Sequence, residues 1–196
     1  TQLATSGTPT TTDNYLFDPN PTAIPGGLIA GAQGVYWNSE IEFDNANSVY
    51  LDSLFLYKGV YNTGTNDVAW ARHRTIRPNH NTSFDGTSIF IPPNQGASLD
   101  GNTIWLAWMG DLVGGHDSVL SPVLMKSTDG GTTWGTPVEV DLRQFSWVKD
   151  SLQAFWTDST GAPAGSGRPT TWNEFDITVD ASGNPHMSFV VGNTTL

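Results

Sequence analysis

Three stretches of this 196-residue chain repeat one order of residues, an Asp-led polar turn followed by an apolar run. They are FDNANSVYLDSLFLYKG (43–59), SLDGNTIWLAWMG (98–110) and TVDASGNPHMSFVVG (178–192). Aligning Asp44, Asp100 and Asp180 sets Val49-Tyr50-Leu51 against Ile104-Trp105-Leu106 and His186-Met187-Ser188. The intervals are unequal, so this is a repeat with loop insertions. In the second run Ile104, Leu106 and Trp108 point one way and Trp105, Ala107 and Met109 the other. A strand apolar on both faces belongs between two packed sheets.

Twenty-one Gly and twelve Pro beside eight Trp and nine Phe fit many short strands joined by turns. No window of a dozen residues carries apolar positions at i, i+3, i+4 and i+7, so the expected fold class is all-β. Further strands are expected at DVAWARHRT (67–75), SVLSPVLMKS (118–127) and TPVEVDL (136–142). One unit then reads strand, short Asp/Gly/Asn turn, strand, longer loop, strand, tight turn, strand, with KGVYNTGTN and MGDLVGGHD as the longer loops. Four antiparallel strands repeated radially describe a β-propeller blade. Residues 1–34, rich in Thr, Pro and Gly, read as a linker or irregular edge segment with room for a strand near its end. Residues 35–196 read as a partial propeller in units of about 40–97, 98–145 and 173–196. Closure takes at least four blades, so the expectation is two to three blades, with the remaining part of the same polypeptide completing the ring.

The tight turn is STDGGTTW (127–134). Asp129 can accept from backbone N–H groups in an Asx-type turn, and Gly131 supplies positive φ without Cβ strain. Thr133 re-enters the strand, and Trp134 offers a large apolar ring to a neighbouring blade. Ser127, Asp129, Gly131, Thr133 and Trp134 together match Ser-x-Asp-x-Gly-x-Thr-Trp. The segment resembles the Asp box, or BNR repeat, of sialidases and related β-propellers, where it connects the third and fourth strands of a blade. The resemblance covers about 43–192 and implies a structural role at the blade periphery, away from the central site.

Sialidase-like enzymes hold a substrate carboxylate with three arginines and use an Asp acid/base and a Glu-assisted Tyr nucleophile. Their early Arg-Ile-Pro motif is missing; Thr75-Ile76-Arg77-Pro78 has another order. Arg72 and Arg74, at alternate positions of one strand, are expected on one face, either as an anion clamp or as solvated charges. Glu174, just before a strand, is the candidate catalytic carboxylate. Asp111 and Asp117 are candidate Ca²⁺ ligands, although DLVGGHDS is no EF-hand loop. His186 is expected to be a satisfied core histidine. No other cofactor is implied.

Eight Lys and Arg against nineteen Asp and Glu give a net charge of −11. No basic stripe exists to release counterions, which argues against nucleic acid as a partner. Cysteine is absent, removing disulfides and thiolate chemistry. No run of 18 apolar residues predicts a membrane span. The resulting expectation is a non-catalytic propeller module, extracellular or at the cell surface, presenting loops to a glycan or protein ligand. The alternative is a segment of a sialidase-like exo-glycoside hydrolase whose catalytic residues lie partly outside this chain.

Overall fold

The computed structural model describes residues 22–31, 34–44, 49–76, 93–110, 112, 120–155, 160–161 and 169–193. The chain is mostly β, in antiparallel sheets, with one helix among the described residues. Sheet one is the meander β1 (Thr22–Ala30), β2 (Val35–Asp44), β3 (Val49–Asn62) and β4 (Asp67–Ile76). Sheet two is the meander β5 (Asn94–Ala97), β6 (Ile104–Gly110), β7 (Ser121–Ser127) and β8 (Val138–Glu139). A hairpin of β9 (Pro169–Val179) and β10 (Pro185–Asn193) forms the third.

The segment 1–34 therefore contributes a strand, while residues 1–21 lie outside the described part. Its Pro25-Gly26-Gly27 reads as linker chemistry, yet the strand survives by lying at a sheet edge. There Pro is tolerated, and the register shifts between Pro25 and Leu28. The loop expected at KGVYNTGTN shrinks to four residues, 63–66, because β3 continues to Asn62. Asn66 takes φ 55°, and its side chain accepts from the Tyr61 hydroxyl at 2.6 Å to hold the turn.

Sheets one and two pack face to face. Leu54 and Ile76 of the first meet Leu106, Trp108, Val123 and Met125 of the second in one buried cluster. Each such aliphatic side chain contributes about 1.5–3 kcal/mol over leaving it exposed. The other face of β6 turns to the hairpin: Met109 packs with Phe175, Met187 and Phe189, and Trp105 Nε1 donates to Gly183 O at 3.0 Å. β6 is thus covered on both faces, as its unbroken apolar run requires.

The first strands of the three sheets are neighbours, with β5 lying between β1 and β9. Gln95 Nε2 donates to Trp37 O of β2 at 2.7 Å, and Asn94 Nδ2 donates to Asp176 Oδ1 of β9 at 3.0 Å. Gly96 permits the approach of β9: a Cβ there would sit 3.0 Å from Val179 Cγ2 and 3.2 Å from Ile177 O.

The helix α1 (Ser146–Phe155) departs from a purely β chain. At ten residues it escapes a search for dozen-residue periodicity, yet Val148 is buried and Trp147 exposed, as an amphipathic turn demands. Asp141 caps the preceding 3₁₀ turn (Leu142–Gln144) by accepting from Arg143 N at 2.9 Å. No described helix is long and apolar enough to cross a membrane.

Candidate functional site

The Ser127–Trp134 turn joins β7 to β8, the third and fourth strands of their meander. Its hydrogen bonds converge on two side chains. Asp129 accepts from Thr133 N at 2.8 Å, from Thr133 Oγ1 at 2.6 Å and from Ser127 Oγ at 2.8 Å. Ser127 Oγ in turn accepts from Gly131 N at 2.8 Å. Gly130 and Gly131 take φ 66° and 85°, which reverses the chain inside the turn. Trp134 Nε1 donates to Gly131 O at 2.9 Å, folding the indole back over the turn.

Related Asp-centred turns close the β5–β6 and β9–β10 hairpins. Asp100 accepts from Ser98 Oγ at 2.6 Å and Asn102 N at 3.0 Å. Asp180 accepts from Ser182 N and Asn184 N, each at 2.8 Å. The turns touch one another, for Gly130 N donates to Asn102 O at 2.9 Å.

Donors to the charged form depress each carboxylate. The Thr133 hydroxyl, the Thr133 amide and the Ser127 hydroxyl hold Asp129 down to about 2. The Asn184 amide and side chain, then His186, lower Asp180 further, and Ser98 leads the lowering at Asp100. A depressed carboxylate stabilises the fold above its unfolded value near pH 4, and that stability drains as pH falls through the folded value. The urea midpoint of the chain is therefore expected to fall between about pH 4 and pH 2. Asp129→Asn should flatten part of that fall, and an unchanged acid limb in the variant would contradict this assignment.

Trp37 of β2 is the fully buried hub beside this turn. Its ring meets Trp134 edge-on at 5.9 Å between centroids and His73 of β4 edge-on at 5.0 Å. Lys58 Nζ stands 5.6 Å from the Trp37 ring centroid. Leu56 and Ile104 complete the cluster, so Trp134 is wedged between sheets one and two.

Arg72 and Arg74 do not share a face. β4 has a bulge at His73: Arg72 pairs with Tyr57 and Arg74 with Leu56, adjacent residues of β3 pointing to opposite sides. Arg72 stacks 3.9 Å above the Phe55 ring, with Nη2 3.5 Å from the Tyr57 hydroxyl. Arg74 goes to the Trp37 side. Glu174 lies exposed within β9, inside a strand instead of before one, beside the register shift of that hairpin. Asp111 and Asp117 fall outside the described residues. Among the described residues no group of three or more His, Asp or Glu side chains is placed to hold a metal ion. His186 is no core residue: its side chain is 62% exposed, with Nε2 3.2 Å from Asp180 Oδ2.

The sequence reading missed a buried polar pair on the opposite face of sheet one. Glu40, fully buried, accepts from Asn38 Nδ2 at 2.6 Å, across from Phe55 and Tyr57. The alternation of β2 carried the signal, since Asn38 and Glu40 share one face while Trp37 and Ser39 share the other.

Compared with known families and characterised proteins, the chain matches no family model and no curated protein.

Proposed function

We propose that this chain is an arc of an Asp-box β-propeller serving as a non-catalytic binding module, exported to the cell surface or medium, whose loops contact a glycan or protein. The observation that carries the reading is the Ser127–Trp134 turn between the third and fourth strands of a four-stranded meander, with Trp134 packed against the next sheet. The side-by-side first strands β1, β5 and β9 support it, because inner strands of successive blades line a common axis. The three sheets of the described residues are fewer than a closed ring needs, so further strands of the same polypeptide complete it in this reading.

The alternative, a segment of a sialidase-like hydrolase, draws on Tyr57, Glu40 and Arg72 occupying one face of sheet one. Tyr57 is only 6% exposed and Glu40 0%, so substrate has no path to them as they stand. A fluorogenic sialoside separates the readings. The complete protein is expected to bind members of a glycan panel without turning the sialoside over, and hydrolysis above background would reverse the order.

A further inference from the structure

We propose that Lys58, His73 and Arg74, grouped on the Trp37 side of the β3–β4 edge, bind a carboxylate or sulfate group of an acidic glycan. The bulge creates the group. Arg74 stands opposite Leu56, and His73, the extra residue of the bulge, meets the Trp37 ring on that same side, so two consecutive residues of β4 serve one face, where a regular strand would turn them apart. His73 and Lys58 flank the same Trp37 ring, at 5.0 Å and 5.6 Å from its centroid. His73 and Arg74 are exposed on β4, the edge strand of its sheet among the described residues, and Lys58 is half-buried on the neighbouring β3.

The surroundings make this placement unusual. The chain carries nineteen acidic residues against eight Lys and Arg, yet two of those eight stand here beside a histidine. Among the described residues no carboxylate lies within 4.0 Å of either cation, whereas Arg143 pairs with Asp141 and His186 lies beside Asp180. Arg143 shows how this protein neutralises an ordinary surface cation, through two contacts to Asp141 at 2.7 and 2.9 Å. Burial, then the charges of Lys58 and of Arg74, hold His73 below its ordinary value. An oxyanion at this spot accepts charge-assisted hydrogen bonds from Arg74 and Lys58 and relieves their repulsion.

One positive cluster on an acidic surface favours a ligand whose anionic groups are isolated along neutral sugar units. A run of adjacent carboxylates in an acidic peptide meets the remaining negative charge of the chain. That the ligand is a glycan rests on the binding-module reading; the charge cluster does not.

Calorimetric titration of the intact chain with a sulfated hexasaccharide, its desulfated counterpart and hexaglutamate tests the proposal. The sulfated sugar is expected to bind with an affinity that falls as salt rises. Lys58→Gln and Arg74→Gln should each weaken it about tenfold, roughly 1.4 kcal/mol, with Lys126→Gln as an unaffected control. None of the three side chains is fully buried, and matching thermal melts show that the variants fold. Shifts of the His73 ring resonances on adding the sulfated sugar give a second readout. Unchanged binding in the Lys58/Arg74 double variant overturns the site. Binding of hexaglutamate in place of the sugar overturns the glycan assignment, and binding of none of the probes overturns the proposal. Binding of the desulfated sugar alone, insensitive to the variants, removes the cluster while leaving the binding-module reading standing.

Discussion

Gly131→Ala is expected to lower the stability of this chain by about 2–5 kcal/mol, from two separate sources. The first is conformational. Gly131 sits at φ 85°, where any residue with a Cβ is strained by about 1–2 kcal/mol. The second is packing. A Cβ at this position runs into the Trp37 ring at Cζ2 and Cε2, and that ring is fully buried with no room to swing aside. Overpacking of this kind costs about 1–3 kcal/mol more. For a domain of this size the melting temperature should drop by on the order of 10 °C. A double-mutant cycle separates the sources. Trp37→Phe removes the atoms that collide and loses no protein hydrogen bond, because Trp37 Nε1 has no protein acceptor among the described residues. In that background Gly131→Ala should cost only the conformational share, leaving a coupling of about 1–3 kcal/mol. Equal costs in both backgrounds would mean that the turn does not press on Trp37.

That coupling marks the boundary between what the sequence discloses and what it conceals. The turn itself is legible because its chemistry is local: Ser127, Asp129, Gly131 and Thr133 satisfy one another through hydrogen bonds that reach no more than four residues along the chain, and side-chain type alone announces the pattern. The two-sided burial of β6 is legible for a similar reason, since alternation needs only the strand's own residues. Trp37 is different. Its partners come from β3, β4, β6 and the turn, and nothing near position 37 names them. The bulge at His73 is equally hidden. An insertion of one residue against β3 leaves no compositional trace, yet it moves Arg74 to the face opposite Arg72 and dissolves the clamp that strict alternation implies. His186 fails for the opposite reason. Its repeat position matches Ile104, but among the described residues β10 is covered on only one of its faces, so a position that is buried in β6 is open to solvent in the hairpin.

The second large effect is expected at Trp108, and its size depends on how much of the ring is removed. Trp108 is fully buried between sheets one and two, beside Leu54, Ile76, Leu106, Val123 and Met125. Trp108→Ala should cost about 3–5 kcal/mol, the transfer energy of the ring plus the cavity it leaves. Trp108→Phe should cost less than about 1 kcal/mol, because two changes oppose each other. The smaller ring forfeits some packing, but it also removes Nε1, a buried donor with no protein acceptor among the described residues, whose burial costs about 1–3 kcal/mol. Leu99→Ala, at a side chain 98% exposed, should lie within about 0.5 kcal/mol of the parent and serves as the surface reference. Urea midpoints for the three variants read the ranking directly. A Phe variant as damaged as the Ala variant would show that the indole N–H is satisfied in solution and contributes to the seam. A mild Phe variant would show that the seam between the sheets is held by apolar shape alone. Trp134 and the turn then depend on that seam for their position, since the turn packs against sheet one through Trp37 while its own strands belong to sheet two.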